Sequence, residues 1–326
     1  SIDGETWTAP FFRQKNVKED LKTWLDWDKN IDGMFFDRDG ASLLGYAVCA
    51  NHFEAVSYLL SEINKSFKND EKERQRHIES RISKNGFLYV GIPGSCTSLI
   101  GAMALASPAI VKLLLESGAN PNVTDVSGNN TLMCACTFNR VDNVKYWLRE
   151  FPDWDLEAGN TINGSVALGT AVYMGPNRLK LAELLIQKGA RCSTLTHSGA
   201  SVLIAACASQ DADPSVVKLI LQHCKSVNYQ QKSRTSKWYL IHSIAKTVLR
   251  TGLSENLLLK FLALERGETA LHKATRRGDV EIVEILLHSG INPSLRNDLG
   301  LDAAARCKSF PELRGVLEKR ERKMKL

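Results

Sequence analysis

Thr97 and Asn130 stand 33 positions apart and open the same ordered phrase. Thr97-Ser98-Leu99 is followed by Ala102, by Ile110-Val111-Lys112-Leu113-Leu114-Leu115 and by Gly118-Ala119-Asn120. Asn130-Thr131-Leu132 is followed by Ala135, Val144 and Tyr146-Trp147-Leu148. A repeat this short cannot enclose a core of its own, so the next copy must cover its apolar face. That requirement makes the chain a stack of similar units and predicts more copies on either side.

Upstream, Asp37-Arg38-Asp39-Gly40-Ala41-Ser42-Leu43-Leu44 leads to Ala47, Asn51-His52, Glu54-Ala55-Val56 and Leu59-Leu60, with Ser42 in the place of Thr97. Downstream, Val166-Ala167-Leu168 with Ala171 runs through Leu184-Leu185-Ile186 to Gly189-Ala190, and Ser201-Val202-Leu203 with Ala206 runs to Leu219-Ile220-Leu221. These two carry about two extra residues in the middle, which lengthens the turn between their helices. Ile241-His242-Ser243-Ile244 with Leu257-Leu258-Leu259 and Phe261-Leu262 reads as a degenerate sixth copy. The fullest copy is Gly267-Glu268-Thr269-Ala270-Leu271-His272-Lys273-Ala274, followed by Gly278-Asp279-Val280-Glu281-Ile282-Val283-Glu284-Ile285-Leu286-Leu287 and Gly290. It resembles one ankyrin repeat almost letter for letter. The resemblance implies a β-turn leading into two antiparallel helices, repeated into an all-α ankyrin-repeat solenoid of about seven to eight stacked helix-turn-helix units, with β-turn fingers and one long insertion.

The organisation follows from these copies. Residues 1–36 form an N-terminal capping helix or half repeat, since Val17, Leu21, Trp24 and Leu25 share one helix face. The first full repeat occupies 37–60, an insertion 61–95, repeats 96–263 with the last degenerate, and 264–326 a well-matched repeat plus a basic C-terminal cap. Within each unit, Gly128, Gly199 and Gly267 suit a tight turn before the first helix, and Gly118, Gly189 and Gly290 suit left-handed C-caps. Thr97 and Thr269 are placed to cap helices. Small Ala47, Ala102, Ala135, Ala171, Ala206 and Ala274 permit close stacking. In the family's pattern the histidines at His52, His242 and His272 tie turns together by hydrogen bonds, a structural and not a catalytic role.

Hydrophobic residues at 44% and charged residues at 24% describe a soluble globular chain, and no run of about 18 apolar residues is available to span a bilayer. Residue 1 is neither Met nor the start of a signal peptide, which reads as a fragment or a processed product. The eight cysteines are scattered over separate repeats and fit reduced, buried thiols. Cys134-Ala135-Cys136 lacks zinc-knuckle spacing, so no metal or other cofactor is expected. The expected location is cytoplasmic, with the nucleus as the alternative. The net charge of +6 is unevenly spread: Arg306 to Leu326 holds eight Lys and Arg against three Glu, and Pro214 to Ser254 holds seven basic residues and no acidic one. The rest of the chain is therefore acidic.

Function is to be sought where the repeat pattern breaks. The first break is Ser61 to Ser95, a charged helical part (Lys65 to Lys84) followed by the apolar stretch Gly86 to Gly94. It reads as a shielding helix and loop or as a docking element. The second is the acid-free segment, where Tyr229, Trp238 and Tyr239 interleave with Lys225, Lys232, Arg234 and Lys237. Aromatic residues and arginine dominate the energetic centres of interfaces. No nucleic-acid motif accompanies them, so an acidic protein partner is favoured over nucleic acid. The third is the concave face that the resemblance implies, with Tyr46, Phe138, Tyr173, Lys273 and Arg276 on or near it and Arg38 and Arg296 near turn tips.

The partner-binding candidates are therefore Arg38, Tyr46, Phe138, Tyr173, Arg234, Trp238, Lys273 and Arg276. No Gly-rich phosphate loop, Gly-x-Ser-x-Gly elbow or His-Glu-x-x-His stretch supports an enzyme. The reading is a non-catalytic protein–protein interaction module: an adaptor, a scaffold or a subunit of a larger assembly. The alternatives are a regulatory or targeting domain of a longer enzyme or channel, or attachment to anionic lipid or nucleic acid through Lys308 to Lys325.

Overall fold

A computed structural model of the chain describes residues 42–82, 96–174, 178–251, 256, 262–307, 310, 313 and 315–317. The expected N-terminal cap, the apolar stretch Gly86 to Gly94 and most of the basic C-terminal stretch lie outside the described residues. The fold is the expected all-α repeat architecture. It comprises two compact units, one of residues 1–154 with 160–162 and the other of 155–159 with 163–326.

In the first unit the hairpins are α1 (Leu43–Cys49) with α2 (Phe53–Ser66), α4 (Ser98–Leu105) with α5 (Pro108–Glu116), and α6 (Thr131–Thr137) with α7 (Val141–Glu150). Between α2 and α4 lie α3 (Glu71–Ile78) and the antiparallel pair β1 (Arg81–Ile82) and β2 (Cys96–Thr97). Each first helix starts because a side-chain oxygen accepts a backbone N–H that the helix cannot satisfy internally. Ser42 caps Gly45, Thr97 caps Ile100 and Asn130 caps Met133. Between hairpins, α1 packs on α4 and α4 on α6. Ala47, Ala102 and Ala135 are fully buried where these helices stack, as close approach requires. Buried Asn143 of α7 adds a polar tie. Its Nδ2 donates to the carbonyls of Ala102 (3.2 Å), Met103 (3.0 Å) and Ala106 (3.0 Å), clustered where α4 ends.

In the second unit the hairpins are α8 (Ala167–Tyr173) with α9 (Leu179–Gln187), α10 (Val202–Ala208) with α11 (Pro214–His223), and α13 (Ala270–Arg277) with α14 (Val280–His288). The 16-residue α12 (Ser236–Thr251) lies between the last two in sequence. Five residues separate the helices of each of the first two hairpins, against the two of the Ala106-Ser107 link in the first unit. Gly118, Gly189 and Gly290 all have positive φ, the left-handed geometry expected after the second helices.

The segment expected as a degenerate sixth repeat is built differently. Helix α10 packs directly on α13, and α11 on α14, so no repeat intervenes in the stack. An ordinary finger closes with a crossed pair of backbone bonds: Thr196 N–H to Ala200 O (3.0 Å) and Gly199 N–H to Thr196 O (2.9 Å). Gln231 N–H to Glu268 O (2.9 Å) and Gly267 N–H to Gln231 O (2.8 Å) repeat that pair across a gap of 35 residues. Residues 232–266 are therefore an insertion at the tip of one β-turn finger. The 61–95 departure ends the same way: 15 residues separate paired Arg81 and Thr97, against five between bridged Thr124 and Asn130.

Candidate functional site

The finger-tip insertion of the second unit carries an unusual surface. Its base is held by close backbone approach. Gly199, at φ +87°, sits so near Lys232 that a Cβ there would come within 1.9 Å of the Lys232 carbonyl oxygen. Only glycine fits, on both counts. Arg234 N–H donates to His197 O (3.0 Å), and Tyr229 Oη donates to Gly199 O (3.0 Å).

The inward side of α12 is fixed by polar contacts and not by a large apolar core; only His242 and Ala245 are fully buried. Ser233 Oγ and His242 Nδ1 are 2.7 Å apart, and the His242 ring lies 5.6 Å from Trp238. His242 Nε2 is 3.6 Å from Glu265, which also receives Lys273 Nζ at 3.3 Å. Lys273 Nζ further contacts Glu268 at 2.9 Å, and Arg276 lies 3.6 Å from the same carboxylate. Burial raises the Glu265 carboxyl, but the adjacent His242 ring and the charge and hydrogen bond of Lys273 outweigh it and hold the pKa below the ordinary value. At the far side, Lys246 Nζ donates to Asp298 O (2.9 Å), while Arg266 pairs with Asp298 at 3.0 Å and covers the Tyr239 ring at 4.7 Å.

The outward side is different. Leu240 is 59% exposed, Tyr239 54% and Ile244 51%. Lys232, Arg234, Lys237 and Arg250 are exposed around them. The neighbouring carboxylates, Glu265 and Asp298, are occupied by Lys273, His242 and Arg266. The result is an apolar and cationic surface on a helix clamped across the row of fingers.

The sequence-based candidates fare unequally. Arg234 is exposed at the base of the insertion and Trp238 is half-buried beside it. Tyr173 is 49% exposed at the end of α8. Tyr46 of α1 is half-buried, and Phe138, at the end of α6, packs against Cys96, Ile100 and Cys134. Arg38 lies outside the described residues. Lys273 requires correction: its side chain is 2% exposed and enclosed by two carboxylates, so it is a structural cation and not a contact residue. Arg276 turns toward the same Glu268 with a 26% exposed side chain. Sequence reasoning missed Leu240 and Ile244 because a degenerate repeat would have buried them. It also missed Glu265 and Glu268, whose importance appears only once the insertion folds back.

Of the three histidines, His272 makes the expected tie to the next turn, while His52 caps its own hairpin and His242 lies in the insertion beside Ser233 and Glu265. His52 Nδ1 accepts Ala55 N–H, capping α2. His272 forms a capping box with Thr269, and its Nε2 lies 3.0 Å from Leu301 O in the following turn. Among the described residues no helix is long and apolar enough to cross a membrane.

Comparison with known proteins agrees with this geometry. A family model described as ankyrin repeats in three copies matches residues 99–196 and 192–297. The chain is 28% identical over 264 residues to the B-cell lymphoma 3 protein homolog of Mus musculus, covering 80% of this chain and 46% of that protein. It is 24% identical over 321 residues to the ankyrin repeat and KH domain-containing protein mask-1 of Caenorhabditis elegans, covering 82% of this chain but only 12% of that one. The chain thus spans less than half the length of either relative. Among solved structures, the ankyrin repeat domain of Bcl-3 has a TM-score of 0.54 at 24% identity, covering 86% of this chain and all of that one. The human ASB11 ankyrin repeat domain has a TM-score of 0.56 at 21% identity, covering 85% of this chain and 97% of that one. Repeat spacing, caps, finger geometry and these matches agree: the chain belongs to the ankyrin-repeat family.

Proposed function

We propose that this chain is a non-catalytic protein-binding module whose partner presents an acidic surface to the finger-tip insertion of the second unit. Ankyrin repeats form a family of protein-interaction modules, and no catalytic family accompanies the match. The observation that carries the reading is the exposure of Lys232, Arg234, Lys237 and Arg250 in a segment without one acidic residue. Such a field accelerates encounter with an oppositely charged partner and disfavours cationic ones. The partner surface reads as Arg234 and Trp238 with the outward side of α12; Tyr173 and Arg276 offer further contact. Tyr46 and Phe138 are separate candidates of the first unit, and Arg38, outside the described residues, is a candidate from the sequence alone.

The chain acts as an adaptor, a scaffold or a domain of a larger assembly, and its eight thiols suit a reducing compartment, cytoplasmic or nuclear. Cross-linked capture from the native source tests the reading. The wild-type chain should recover an acidic protein that the Arg234→Glu, Lys237→Glu double variant does not. An identical set of captured proteins from both would refute it.

A further inference from the structure

We propose that the outward side of α12 is the seat of an acidic amphipathic helix of the partner. The inference deepens the reading above and rests on it. The first helices of the repeats, α1, α4, α6, α8, α10 and α13, are seven or eight residues long; α12 of the insertion has 16 and spans about 24 Å. That is long enough to receive three to four turns of a second helix. A surface helix ordinarily turns polar residues outward. Here Leu240 and Ile244, one turn apart on the same face, are both more than half exposed, and Ile241 and Val248 are half-buried beside them. One exposed leucine needs no explanation, but a contiguous aliphatic strip marks a contact surface.

The charges choose the occupant. Lys237 lies one turn before the strip and Arg250 beyond it, with Arg234 at the base of the insertion. Among the described residues no carboxylate pairs with any of the three. A helix with apolar residues at i, i+3, i+4 and i+7, bordered by Asp and Glu, would cover Leu240 and Ile244 and neutralise those cations. A nucleic acid would satisfy the cations but leave the aliphatic strip against phosphate and water.

The test is selection of a displayed random 16-residue peptide library on the whole chain. Recovered peptides are then titrated by fluorescence anisotropy against wild type, Leu240→Ser with Ile244→Ser, and Lys237→Glu with Arg250→Glu. The substituted side chains are exposed, so melting temperatures should hold within a few degrees. The expected peptides are acidic, carry the helical apolar spacing, gain helicity on binding, and lose at least about tenfold in affinity with each variant pair. Recovery of no such peptides, or equal binding to the Leu240→Ser, Ile244→Ser variant, overturns the proposal. So does retention on anionic vesicles or RNA that the same variant abolishes, since the surface would then serve lipid or nucleic acid. If native-partner capture fails with Arg234→Glu and Lys237→Glu but survives Leu240→Ser with Ile244→Ser, the acidic partner stands and the helix falls. If capture survives both pairs, the reading of the whole surface falls.

Discussion

Lys273 shows how one residue's neighbourhood reverses its meaning. Its sequence position belongs to the exposed side of a first helix, yet its ammonium is enclosed by Glu265 and Glu268, 2.9 to 3.3 Å away. Removing one member of a buried ionic cluster leaves uncompensated charge, so Lys273→Met is expected to cost about 3–5 kcal/mol in chemical denaturation. Glu265 in the same cluster predicts a pH dependence. Its folded pKa is depressed, so its stabilising contribution is present above the unfolded value of about 4.3 and is lost as pH falls through the folded one. Glu265→Gln should lower stability at pH 7 and flatten the loss of stability below about pH 4.3, read as urea midpoints across pH. A third residue-scale expectation concerns thiols. Burial pushes the Cys192 thiol up to about 11 and raises Cys49, Cys134 and Cys207 further, while Cys224 is partly exposed and less perturbed. Maleimide at neutral pH should therefore modify Cys224 ahead of the others, as peptide mass mapping would show.

At the scale of elements, the finger-tip insertion is separable from the stack that carries it. The packing of α10 on α13 and of α11 on α14, and the crossed bonds of Gln231 with Gly267 and Glu268, do not need residues 233–265. Replacing 232–266 by an Asn-Gly dipeptide leaves Glu268 to hold the Lys273 ammonium and should give a folded chain whose circular dichroism lacks little more than α12. Its partner capture should be lost. Global unfolding of that variant would show that the insertion is part of the core. The repeats themselves were legible because their signals are local: caps at Thr97, Asn130, Ser201 and Thr269, a stacking alanine and a glycine stop. The insertion was not, because Ile241, Ile244 and Leu258 mimic repeat spacing, and only pairing across 35 residues reveals which finger they interrupt.

For the molecule as a whole, charge is the property that acts beyond single contacts. An acid-free stretch of 41 residues within a chain of net charge +6 predicts association driven partly by electrostatics. Partner capture should weaken as salt rises from about 0.05 to 0.5 M, where the Debye length falls well below 10 Å. A salt-independent interaction would place the binding energy elsewhere. The sequence alone determined the repeat, its all-helical hairpins and the tie that His272 makes to the next turn, because each follows from residues within one repeat or from the next copy in register. Tertiary structure decided that Lys273 is interior, that residues 232–266 leave the stack, and that Leu240 and Ile244 face outward. Those outcomes depend on groups far apart in sequence meeting in space, and periodicity along a chain carries no record of such meetings.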